Sequence, residues 1–226
     1  MKTLLALASL LVLAACGSGG PPPPDWKVDS ADLVARYQKH ALRGENTLAE
    51  RYFRQAVAAT GGAGRVSETA RLWLVHCATR RAMLIDDACS EYAELAGNEP
   101  NPADQAYYRF LTLRWDGLDL ALLPSQHRDL VHVPADKRRA ALGRIDDPLA
   151  RLLDASLLVM RQEADAAILA TATETASEQG WRQPLLTYLK LRQQQADKLG
   201  QTAESAQLAR RIRLVEESLA PPSFDN

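Results

Sequence analysis

"GENTLAERYFRQAVA", Gly44–Ala58, decides how this chain is read. Ala49, Phe53 and Ala56 recur at spacings of four and three, which puts them on one face of a helix. Thr47-Leu48-Ala49-Glu50 reads as a capping box at its start, and Gly44 closes whatever precedes it. Further along, Ala88, Tyr92 and Leu95 repeat the same spacing 39 residues after Ala49. Ala, Leu, Arg, Gln and Glu dominate the composition, and β-branched runs are rare. Breakers fall at helical intervals, among them Gly61-Gly62, Gly97, Pro124, Pro134, Gly180 and Gly200. Asn101-Pro102 and Asp147-Pro148 each set a capping side chain before a proline at the first helical position. The spacing predicts helices near 30–43, 47–60, 67–82, 86–96, 102–115, 147–160, 164–178, 182–199 and 202–219. Residues 116–145 have room only for short helical pieces. No glycine or proline marks a break near Gln162, so residues 148–178 read as either one helix or two.

Short loops make successive helices antiparallel neighbours. Gly44 stands five residues before Ala49, nine before Phe53 and twelve before Ala56. This pattern resembles the second half of a tetratricopeptide repeat, in which small residues let two helices approach and an aromatic fills the gap. The pair around Ala88, Tyr92 and Leu95 carries it again, at an offset longer than the usual 34-residue period. The last pair keeps Gly200 and Ala206 without the aromatic, and Leu33, Tyr37 and His40 depart from the family's first-helix pattern. The expected fold is all-α, antiparallel hairpins stacked as a tetratricopeptide-like array, with an irregular helical bundle as the alternative.

The chain opens with Lys2 and an apolar run from Leu4 to Ala15, too short to span a bilayer. Leu13-Ala14-Ala15-Cys16 resembles the bacterial lipobox. That resemblance implies removal of residues 1–15, acylation of Cys16, and, with Gly17 following, sorting to the outer membrane on its periplasmic face. Multiple acyl chains hold a protein to a bilayer where one does so only marginally. Gly17-Ser18-Gly19-Gly20 and Pro21 to Pro24 follow as a flexible, then stiff tether over 16–29. The helical domain is expected over 30–220, and a disordered tail over 221–226.

Twenty-seven basic residues stand against 28 acidic ones. This balance argues against nucleic acid as a partner, which calls for a basic patch. Lys137-Arg138-Arg139 and Arg210-Arg211 have acidic neighbours and read as solvated faces. In an oxidising compartment, Cys77 and Cys89 are expected to pair. Each lies six residues from Met83, near the expected turn between helices 67–82 and 86–96, so they would face one another across a hairpin. Their spacing matches no metal or redox motif.

No catalytic constellation is visible. His40, His76, His127 and His132 lack a ligand motif; His127 and His132, five apart, have no third ligand nearby. His76, between Val75 and Cys77, reads as a packed helix residue. Gly61-Gly62-Ala63-Gly64 follows a helix, whereas a phosphate-binding loop follows a strand. Trp73, Trp115 and Trp181 read as plugs between helices. Neither an enzyme nor a cofactor is expected. Lipoproteins of the tetratricopeptide class assist pilus assembly, barrel insertion or cell-wall enzymes, so the resemblance implies an adaptor for another envelope protein. A module binding a peptidoglycan fragment or lipid is the alternative.

Overall fold

The computed structural model describes residues 22–97 and 100–220. Its regular structure is helical, with no strand among the described residues. Eleven α-helices follow one another: α1 Asp25–Leu42, α2 Asn46–Gly62, α3 Val66–Ala82, α4 Ser90–Ala96, α5 Pro102–Leu111, α6 Ser125–His132, α7 Arg138–Leu142, α8 Pro148–Met160, α9 Ala166–Glu178, α10 Arg182–Lys198 and α11 Thr202–Leu219. Two short 3₁₀ turns, Leu120–Leu122 and Ala135–Lys137, flank α6.

Asn101 caps α5 through the N–H groups of Ala103 and Asp104, and Asp147 caps α8 through Ala150. Asp165 does the same for α9. The capping box expected at Thr47 is not formed. Helix α2 begins one residue earlier, at Asn46, after Glu45, whose carboxylate is drawn instead to His40 and Arg182. Helix α1 starts at Asp25, so residues 25–29 belong to the folded body and not to the tether. Residues 1–21 and 221–226, which include the leader, Cys16 and the tail, lie outside the described residues.

One turn ends seven of the helices. A left-handed residue sits two places after the last helical one, and the next N–H reaches back to a carbonyl five residues earlier. Glu45 N–H donates to His40 O, Arg65 to Thr60, Trp181 to Ala176 and Gln201 to Ala196, with Gly44, Gly64, Gly180 and Gly200 at the left-handed position. Ile85 N–H to Arg80 O, Arg114 to Arg109 and Glu163 to Leu158 complete the set. There the left-handed residue is Leu84, Leu113 or Gln162. Gln162 therefore divides 148–178 into two helices. Leu113 stops α5 short of Trp115, and the expected helix 86–96 begins only at Ser90, because Cys89 is left-handed with φ of 53°.

Helix α8 is apolar nearly all round, and Leu152, Leu153, Ala155, Leu157 and Leu158 are all buried. It packs against α3, α6, α7 and α9, while α3 also meets α1, α2, α4 and α5. The α3–α8 pair is the centre of the molecule. Successive helices pair along the chain except around α5, which packs on α3 and on the 3₁₀ turn Leu120–Leu122, and α1 additionally meets α10. Leu219 at the end of α11 lies over Gly44, where an added Cβ would come within 2.5 Å of its Cδ2. No helix among the described residues is long and apolar enough to cross a membrane.

Candidate functional site

Among the described residues the interior holds one buried acid. Asp154 stands in the middle of α8 with no exposed surface, and its Oδ1 lies 2.6 Å from Nδ1 of His127 on α6. Its Oδ2 has no partner among the described residues. Burial drives the Asp154 carboxyl above its ordinary value, against the pull of the His127 hydrogen bond and charge. The imidazole is held by its faces as well: the Phe110 ring lies 4.9 Å from it and the Tyr107 ring 5.8 Å, centroid to centroid. Burial, with Asp154 close by, pushes the Tyr107 phenol up. With Nδ1 committed to Asp154, Nε2 is the ring's remaining hydrogen-bonding atom.

A cavity of about 140 Å³ opens beside this pair. Gln38, Thr79, Tyr107, Gln126, His127 and Asp147 supply its polar wall, and Val75, Ala78 and Leu153 part of its apolar wall. Helices α1, α3, α5, α6 and α8 all contribute, so the cavity is a product of the whole packing. Helix α6 lies in the segment that promised only short pieces. Its buried residues are His127 and Leu130, and their three-residue spacing turns one narrow face inward. His132, five residues after His127, is exposed at the far end of the same helix, so the two histidines do not share a site.

The other histidines are packed or paired. His76 sits among Tyr37, Phe53 and Trp73, and burial lowers its pKa. His40 engages Glu45 and stacks on Tyr52. Trp73 belongs to that aromatic cluster. Trp115 donates its indole N–H to Phe110 O at 2.9 Å, and the guanidinium groups of Arg138 and Arg161 lie over its ring at 5.1 and 4.3 Å from the centroid. Trp181 is half-buried at the start of α10. The basic run at 137–139 is engaged by Asp136, Glu163 and Asp165.

Cys77 and Cys89 are joined, with Cα atoms 5.4 Å apart. The geometry differs from the expected facing helices. Cys77 lies in α3, but Cys89 is the residue before α4, brought in by a folded-back loop. Asp87 organises that loop: its Oδ1 accepts the Cys89 N–H, its Oδ2 the Arg80 Nε–H, and its backbone carbonyl two N–H groups of Arg81. The sulfurs and the Asp87 carboxylate lie within 4.8 Å of one another, a grouping already accounted for by the disulfide and the Arg80 ion pair.

On the outer surface, a groove of about 480 Å³ runs between α1 and α3 from Pro24 to Val75. Trp26, Val34 and Leu72 line it together with Lys27, Glu68 and Arg71. Arg65 stacks on the Trp26 ring at 5.2 Å, and Arg71 forks onto Asp104. No family model, no characterised protein and no solved structure matches this chain.

Proposed function

We propose that this chain is a lipid-anchored adaptor on the periplasmic face of the outer membrane, whose α1–α3 groove receives an extended segment of another envelope protein. The observation that carries the reading is the place of that groove. It starts at Pro24, where the N-terminal segment enters the body, and its lining combines apolar with charged side chains. Such a composition, with the Trp26 ring among its lining, suits a binding surface. Eight residues separate Cys16 from Asp25. At about 3.1 Å per extended residue they give a reach of roughly 25 Å, which keeps the groove near the bilayer.

The second reading, a peptidoglycan fragment or lipid held inside the body, is favoured by the polar wall at His127 but opposed by size. A cavity of about 150 Å³ holds a single benzene, and the interior cavity here is no larger. The adaptor reading is tested in two arms. Cys16→Ala is expected to abolish labelling by palmitate and to release the protein from membranes. Photo-crosslinkers at Val34 and Leu72 are expected to capture the same envelope protein, absent when the crosslinker stands at exposed Leu199. Palmitate labelling of the Cys16 variant would remove the anchor. Indiscriminate or absent crosslinks from the groove would remove the adaptor.

A further inference from the structure

We infer that the cavity beside His127 is a binding site for a primary ammonium group on a short apolar stem. The inference does not rest on the adaptor reading: the cavity follows the groove along α3, the two meeting at Val75, and lies between α3, α6 and α8. Its first ground is charge. Among the described residues no lysine or arginine lines the cavity, while the carboxylate of Asp147 stands in its wall. Asp147 is exposed at the cavity mouth; its Oδ1 accepts the Ala150 N–H at 2.6 Å, and its Oδ2, without a hydrogen bond among the described residues, remains to receive a ligand. The N-terminal end of α8 contributes about half a positive charge, less than the full negative charge that Asp147 places there.

The second ground is the imidazole itself. His127 is 2 % exposed, and that buried side chain forms part of the cavity wall. Asp154 fixes the ring by its Nδ1 side, and Tyr107 and Phe110 fix its plane. When Nδ1–H donates to Asp154, Nε2 is an acceptor. A ligand ammonium can then donate to Nε2 and to Asp147 Oδ2 together. Its stem would lie against Val75, Ala78 and Leu153, and about 140 Å³ accommodates a chain of four carbons. The ammonium could be that of a free amine or of a lysine side chain on a partner, since both present the same group.

The test is a titration of the full-length protein, histidine-labelled with ¹⁵N, with n-butylammonium, n-butanol and butyrate. n-Butylammonium is expected to shift the His127 ring nitrogens saturably and to bind about tenfold more tightly than n-butanol, the size of one charge-assisted hydrogen bond. Butyrate is expected to be excluded. Asp147→Asn keeps the α8 cap, because asparagine caps as well as aspartate, and is expected to erase the tenfold preference with no change in the thermal midpoint. A parallel titration with Nα-acetyl-lysine methylamide assigns the source: binding equal to n-butylammonium supports a partner's lysine, and weaker binding a free amine. The inference is overturned if n-butanol binds equally well, if the His127 ring does not respond, or if Asp147→Asn retains the preference.

Discussion

Asp154 brings two oxygens into the interior and only one of them has a partner. Removing one member of such a pair leaves the other buried and alone, whereas replacing both by apolar groups can be neutral or stabilising. Asp154→Leu alone is therefore expected to lower stability by about 3 kcal/mol, and His127→Phe with Asp154→Leu to recover most of that, as read from urea midpoints. A double variant as weak as the single one would rule out this account. Burial raises the Asp154 carboxyl, so the folded state holds its proton more tightly than the unfolded state. Its contribution is full below the unfolded value near 3.8 and declines as pH climbs through the folded value. Asp154→Asn should flatten that decline. The pair was half-legible in the sequence. Leu152-Leu153-Asp154-Ala155-Ser156-Leu157-Leu158 carries a single acid inside an apolar helical run, which is a visible anomaly. Its partner lies 27 residues away on a helix with only one narrow buried face. No local pattern links the two.

At the scale of the element, the recurring left-handed turn explains which helix boundaries were readable. Where glycine occupies it, as at Gly44, Gly180 and Gly200, the sequence announces the stop. At Leu84, Leu113 and Gln162 the backbone turns in the same way without the residue that signals it. That is why helix 102–115 was expected to overrun and why residues 148–178 stayed ambiguous. A side chain at a left-handed position costs roughly 1–2 kcal/mol in steric terms, part of which glycine's own entropy would take back. Gln162 is exposed and holds no packing role. Gln162→Gly is therefore expected to raise stability by about 0.5–1 kcal/mol, measured as a higher thermal midpoint. No change, or a loss, would mean that the turn carries no strain. The loop closed by Cys77 and Cys89 spans twelve sequence positions. Closing one of about this length is worth roughly 3 kcal/mol in the chain-entropy model. Cys77→Ala with Cys89→Ala should therefore unfold at lower denaturant by that amount and become insensitive to reductant. Mass spectrometry of protein purified without reductant supplies the direct check. Two freely alkylated thiols would leave these as ordinary buried cysteines.

Across the whole molecule, the local pairing of helices was readable because it rests on short turns, while the meeting of the two ends was not. In a linear stack each repeat touches only its neighbours, and stability adds from one to the next. Here α1 also packs on α10, and Arg182 reaches Glu45 at 3.0 Å across 137 residues of sequence while holding the Ser218 carbonyl at 2.8 Å. Leu219 covers Gly44 at the first turn of the chain. These contacts make the first and last hairpins share one opening reaction, because loosening either exposes the other. Truncation after Gly200 removes α11 with its buried Leu208 and Ile212, and with it the cover over Gly44. Hydrogen exchange of that variant is expected to speed up in α1 and α2 as well as in α10, with α8 at the centre retaining its slow amides. The control is Arg182→Ala in the full chain, which cuts the ion pair but leaves α11 in place and should give a smaller effect on the same amides. If exchange in α1 and α2 is unchanged by the truncation, the ends are independent and the molecule behaves as a linear array, with stability lost only from the side that was cut.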